Sequence, residues 1–130
     1  MELKDIETII ESSSVANDIL YGNSSIDMLN RGIANPQIKS VAYYIKDKPS
    51  YIEALIKRFT ERFNQEISEY YALGTTVAYL AVFTELPSIE LFNRLSKVIS
   101  EFNKNSIVFE LLSFSREKIK KEIDTNKIIK

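Results

Sequence analysis

The segment ISEYYALGTTVAYLAVFTE, residues 67–85, decides the fold, because it reads two ways. Gly74-Thr75-Thr76-Val77 and the aromatic and β-branched residues that follow have strand chemistry. The segment nevertheless runs roughly nineteen residues without a break, whereas strands usually span about 3–10. It is therefore read as a helix, apolar almost all round and hence central, with Gly74 allowing close helix packing. A small β-hairpin here, or around Ile107 to Phe109, is the alternative.

Outward from this segment the periodicity is helical on both sides. In Ser50 to about Gln65, Ile52, Leu55, Ile56, Phe59 and Phe63 recur at spacings of three and four after the start signal Lys48-Pro49-Ser50. Leu86-Pro87-Ser88 opens a helix whose stripe is Leu91, Phe92, Leu95, Ile99 and Phe102, ending at Asn103-Lys104-Asn105. From Ser106 a last helix turns Val108, Leu111, Leu112, Ile119 and Ile123 inward, with Arg116, Lys118, Lys120 and Lys121 suiting its C-terminal dipole. Upstream, Leu3, Ile6, Ile10, Ala16 and Ile19 indicate one long or two broken segments. Ser25 caps a short helix holding Ile26, Leu29 and Ile33. Asn35-Pro36 then restarts the chain, with Ile38, Val41, Ala42 and Ile45 as the apolar side. The expectation is a mainly α, single-domain bundle of six or seven helices over residues 1–123, with 124–130 as a frayed tail.

Composition narrows the chemistry. The chain has 130 residues, 45% of them apolar and 27% charged, with no His and no Cys. Thiol nucleophiles, disulfides, Ser-His-Asp triads, zinc fingers and Fe–S clusters are excluded. Glu7 and Glu11, and Glu66 and Glu69, pair at helical spacing, but without His or a second matched set they do not make a di-metal pattern. No cofactor or metal is called for, and a non-enzymatic binding protein is expected. Tyr70 to Phe83, interrupted by Gly74-Thr75-Thr76, is too short to span a bilayer. The acidic start Met-Glu-Leu-Lys-Asp does not read as a secretory signal, so the expectation is a cytoplasmic protein with no membrane contact.

The net charge of −1 conceals blocks. Residues 1–30 carry six acids and one Lys, and residues 31–62 carry seven bases and three acids. Residues 63–110 are again acidic, and the last twenty are basic. Two basic blocks meeting in space would form a phosphate-facing strip, with the acidic N-terminal segment facing elsewhere. Tyr43, Tyr44, Lys46, Lys48, Tyr51, Lys57, Arg58 and Arg62 interleave stacking planes with cations, a pattern suited to single-stranded nucleic acid. Ser25 to Arg31, a Gly32 to Asn35 turn and Pro36 to Lys46 also have helix-turn-helix spacing, with Gln37, Lys39, Tyr43, Tyr44 and Lys46 on the second helix.

Val15-Ala16-Asn17, Tyr21 and Ser25-Ile26-Asp27-Met28-Leu29-Asn30-Arg31-Gly32-Ile33-Ala34-Asn35-Pro36 together resemble the small subunit of the type I-A CRISPR interference complex, the archaeal Cascade. There a short Ala-Asn-rich helix precedes a turn and a helix opening after Pro or Ser-Pro. The length, helical pattern and apolar 70–83 segment are similar as well. The resemblance implies a non-catalytic subunit that packs in several copies beside larger protein subunits and guide RNA, self-associates, and helps hold target DNA by its phosphates. From the charge pattern, the positions to carry this are Arg31, Lys39, Lys46, Lys48, Lys57, Arg58 and Arg62. The alternatives are a helix-turn-helix DNA-binding regulator and a viral or plasmid interaction module that binds no nucleic acid.

Overall fold

The structure, a computed structural model, describes residues 1–14, 25–63, 69–86, 88–101 and 107–129, with the side chains at 25, 62, 63, 69–73, 107, 108 and 126–129 outside that description. Its helices are α1 (Leu3–Glu11), α2 (Ser25–Ala34), α3 (Pro36–Ile45), α4 (Pro49–Phe63), α5 (Glu69–Thr84), α6 (Ile89–Ile99) and α7 (Ile107–Ile129). There is no strand among the described residues, so the hairpin alternative gives way to helix at 69–84 and again at 107–109.

The reason lies in how α5 is covered. Every residue from Thr76 to Thr84 is buried. A helix with no polar face must be enclosed on all sides, and α1, α2, α3, α4 and α7 all pack against α5. The outer helices are amphipathic and supply the enclosure: Ile6 and Ile10 from α1, Leu29 from α2, Ile38 and Ile45 from α3, Leu55 and Phe59 from α4, and Leu111 and Leu112 from α7 all point inward. Helix α6 packs against α7.

Phe59, Tyr79 and Phe83 form the centre of the core, all fully buried. The Phe59 and Phe83 rings meet edge to face, 5.8 Å apart at 87°, and Tyr79 lies 6.2 and 6.3 Å from them. Such tilted pairs contribute beyond their buried area. The hydroxyl at the C-terminal end of α5 is answered within the core. The Thr84 hydroxyl donates to Leu80 O at 2.6 Å and lies 2.5 Å from the Ser115 hydroxyl of α7.

Helix starts follow side-chain chemistry. Asn35 separates α2 from α3, and its side-chain oxygen accepts from the N–H groups of Gln37 and Ile38 at 2.9 and 3.2 Å. Its amide also donates to Ser14 Oγ at 2.9 Å, fastening the end of the α1 segment to the α2–α3 corner. Ser88 Oγ accepts from Leu91 N at 3.0 Å to start α6. The serine run closes α1: Ser12 N donates to Thr8 O, and Ser13 Oγ to Ile10 O. The second half of the N-terminal helical reading, with Ala16 and Ile19, lies outside the described residues. At the other end α7 runs on to Ile129, past Asp124, where the sequence reading begins a frayed tail.

Removing the Phe83 ring is expected to cost about 3–5 kcal/mol, and Asn35→Ala about 1 kcal/mol through the lost cap. Ile89→Ala, at a side chain 55% exposed, should stay within about 0.5 kcal/mol of the parent. Urea unfolding followed by far-ultraviolet circular dichroism measures all three.

Candidate nucleic-acid interface

Helix α3 buries Ile38, Val41, Ala42 and Ile45 and leaves Gln37, Lys39, Ser40 and Tyr43 exposed, a split that follows from its amphipathic pattern. The exposed side, continued by Lys46, Asp47 and Lys48, borders an open groove of about 640 Å³. Lys46 Nζ sits 4.0 Å over the Tyr43 ring, and Lys48 Nζ 4.2 Å over the Tyr44 ring. Lys48 also donates to Tyr44 O at 2.8 Å and to Asp47 Oδ1 at 3.3 Å. That hydrogen bond holds the Asp47 carboxyl below its usual range.

The tyrosines divide by environment. Tyr44 and Tyr51 are half-buried, and their hydroxyls donate to Met1 O at 3.2 and 3.1 Å. Tyr43 is 72% exposed. Of the three rings that the sequence offers as stacking planes, Tyr43 is the one presented to solvent.

The seven candidate cations do not form one surface. Lys39, Lys46 and Lys48 gather at the groove. Arg31 is exposed in the last turn of α2. Lys57 lies in a furrow between α4 and α6, where Glu53, Glu61, Arg94, Lys97 and Glu101 place charges of both signs around it. The Arg62 side chain lies outside the described residues. Arg58 turns toward α1, with Glu7 Oε2 at 3.9 Å and Glu11 Oε1 at 3.6 Å. The acidic N-terminal segment, read as facing elsewhere, is thus partly spent on a residue of the basic block.

Tyr79 explains that arrangement. Its hydroxyl, carried into the core on α5, donates to Glu11 Oε1 at 3.2 Å, and the Arg58 guanidinium hydrogen-bonds the same hydroxyl. A buried phenol needs such a partner. Burial, reinforced by the Glu11 charge, pushes the Tyr79 phenol far above its usual pKa, while the bond to Tyr79 and the two carboxylates hold the Arg58 guanidinium in its charged form. The i, i+4 spacing of Glu7 and Glu11 was the available sequence signal, and the cation they share is a guanidinium.

Two basic blocks approach each other at Glu85. Lys39 Nζ lies 3.4 Å from its carboxylate, and Glu85 also borders a hollow lined by Lys118 and Lys121 of α7. The α2–α3 corner is tighter than the sequence reading: α2 continues through Gly32 to Ala34, leaving Asn35 alone as the connection, against the three or four residues of a helix-turn-helix. The Glu66 and Glu69 side chains lie outside the described residues. Among the described residues no group of three or more carboxylates converges to hold a metal ion, and no helix is long and apolar enough to cross a membrane.

In an alkaline titration of tyrosinate absorbance, the Tyr79 phenol is expected to ionise only as the protein unfolds, and Tyr79→Phe should remove that late component. Because the folded pKa is raised, the contribution of Tyr79 to stability is complete below the unfolded value of about 10 and falls as pH rises past it. The parent should therefore lose more stability than Tyr79→Phe between neutral and strongly alkaline pH in urea unfolding.

No protein-family model, no curated protein and no solved structure matches this chain.

Proposed function

We propose that this chain is a non-catalytic subunit that holds single-stranded nucleic acid by its phosphates, with the groove along α3 as the contact. The observation that carries the reading is the grouping of Lys39, Lys46 and Lys48 around Tyr43, the ring most open to solvent among the described residues. Cations that follow a backbone and an aromatic face that accepts any base are the elements of sequence-tolerant single-strand binding. The corner at Asn35 favours this over the duplex-reading regulator, whose recognition helix is set by a longer turn.

With a net charge of −1, one copy supplies a weak contact, and useful affinity arises when several copies or a larger partner present the groove in series. This agrees with the resemblance to the small subunit of the type I-A CRISPR interference complex. In that setting guide pairing supplies sequence specificity, and this chain lies in the cytoplasm beside larger subunits, guide RNA and target DNA.

Fluorescence anisotropy with a labelled single-stranded oligonucleotide of about 15 nucleotides tests the groove. Binding should be weak, steeply salt-dependent and indifferent to sequence. Lys46→Gln with Lys48→Gln should flatten the salt slope by about 0.7 for each phosphate contact removed. Tyr43→Ala should lose about 1–3 kcal/mol of affinity, Tyr43→Phe little, and Lys57→Ala, outside the groove, little. Duplex bound as tightly as single strand, or indifference to the Tyr43 and Lys46/Lys48 changes, contradicts the assignment.

A further inference from the structure

A second concavity adjoins the groove and has a different character. It is a cleft of about 330 Å³ between α4, the end of α5 and the start of α6. Pro49, Ile52, Ile56, Leu86 and Leu91 give it an apolar lining, with Ile56, Leu86 and Leu91 buried. Five charged residues stand around that lining: Lys46, Glu53, Glu85, Glu90 and Arg94.

Three of these charges are answered within the protein. Arg94 pairs with Glu53 across the cleft, and Glu85 is held by Lys39. Lys46 and Glu90 form no ion pair among the described residues, so the rim offers one charge of each sign. Lys46 caps the end of α3, whereas Glu90 belongs to the first turn of α6, so the two come from separate elements. Large exposed apolar side chains adjoin both: Tyr43 lies under the Lys46 ammonium, and Ile89 precedes Glu90. Exposed apolar groups beside an apolar-floored cleft with a polar rim are the composition of a protein-docking surface.

We infer that this cleft docks a short segment of another protein, one that presents a large aliphatic or aromatic side chain to the floor, an acidic residue to Lys46 and a basic residue to Glu90. A cleft of this volume takes a single anchor, with its flanking charges setting direction and its neighbours lying on Tyr43 and Ile89. The inference is independent of the nucleic-acid reading. Lys46 serves both surfaces, so Glu90, which lies outside the groove, is the residue that separates them.

The test is selection of a random phage-displayed peptide library on the folded full chain, followed by fluorescence polarisation with the enriched peptides. The expected consensus has one Leu, Ile, Met or Phe flanked by an acid on one side and a base on the other. Replacing the anchor by Ala should weaken binding by more than about tenfold. Glu90→Lys, on the surface, should weaken it about three- to fivefold and leave oligonucleotide binding intact or slightly raised, and a peptide whose base is changed to an acid should recover the loss. The inference is overturned if no saturable peptide emerges, if the enriched peptides lack an apolar anchor, or if Glu90→Lys leaves their affinity unchanged. Displacement of the peptides by a single-stranded oligonucleotide in the Lys46-intact, Tyr43→Ala protein would instead assign the cleft to nucleic acid.

Discussion

Everything in this fold depends on enclosing one helix that has no polar side. From Thr76 to Thr84 each residue of α5 is buried, so water must be excluded around its whole circumference, and five other helices pack on it to do so. Burying apolar area is the dominant favourable term in folding, and here that area is concentrated on a single axis. The short outer helices would be marginal alone. Helices α1 to α4 gain their stability by laying one apolar stripe against α5, and α6 by lying against α7, which leaves their opposite faces free to differ in charge and function.

Enclosure also sorts the charges. A tyrosine in the middle of α5 brings a hydroxyl into the core, and Glu11 and Arg58 are drawn in to satisfy it. Glu7 follows at 3.9 Å. One cation of the basic block is thereby committed to structure. The ion pairs Arg94 with Glu53 and Lys39 with Glu85 bridge separate elements in the same way, although exposed pairs of this kind contribute little to stability. What remains at the end of α3 is a small set tied to no distant element, Lys46 over the Tyr43 ring and Lys48 over the Tyr44 ring, with Lys48 also bonded to Tyr44 O and its neighbour Asp47. Their ammonium groups sit over the aromatic faces, cation–π contacts that hold the charge in place at the surface.

The helices were legible because their periodicity is strong and their caps are chemical. Asn35-Pro36 and Ser88 start α3 and α6 as their side chains dictate, and the all-apolar character of 76–84 implied a central helix once length was weighed against strand chemistry. The site was legible only in part. Lys39, Lys46 and Lys48 lie close in sequence and share one edge, so local reasoning found them together. Arg58 and Lys57 are neighbours in sequence yet face different helices, because a step of one residue turns the side chain about a third of the way round a helix. The partners that decide their fate, Glu7, Glu11 and Tyr79, are distant in sequence, and no spacing rule links them. Glu85 is the same kind of case: its meeting with Lys39 spans 46 positions.

The most direct measurement of the central claim is photo-crosslinking of a single-stranded oligonucleotide carrying halogenated pyrimidines, with the attached residues mapped by mass spectrometry. The account predicts crosslinks on Tyr43 and the adjoining segment from Lys39 to Lys48, lost in Tyr43→Ala. Crosslinks confined to the furrow around Lys57 and Lys97, or to Lys118 and Lys121 on α7, would contradict it.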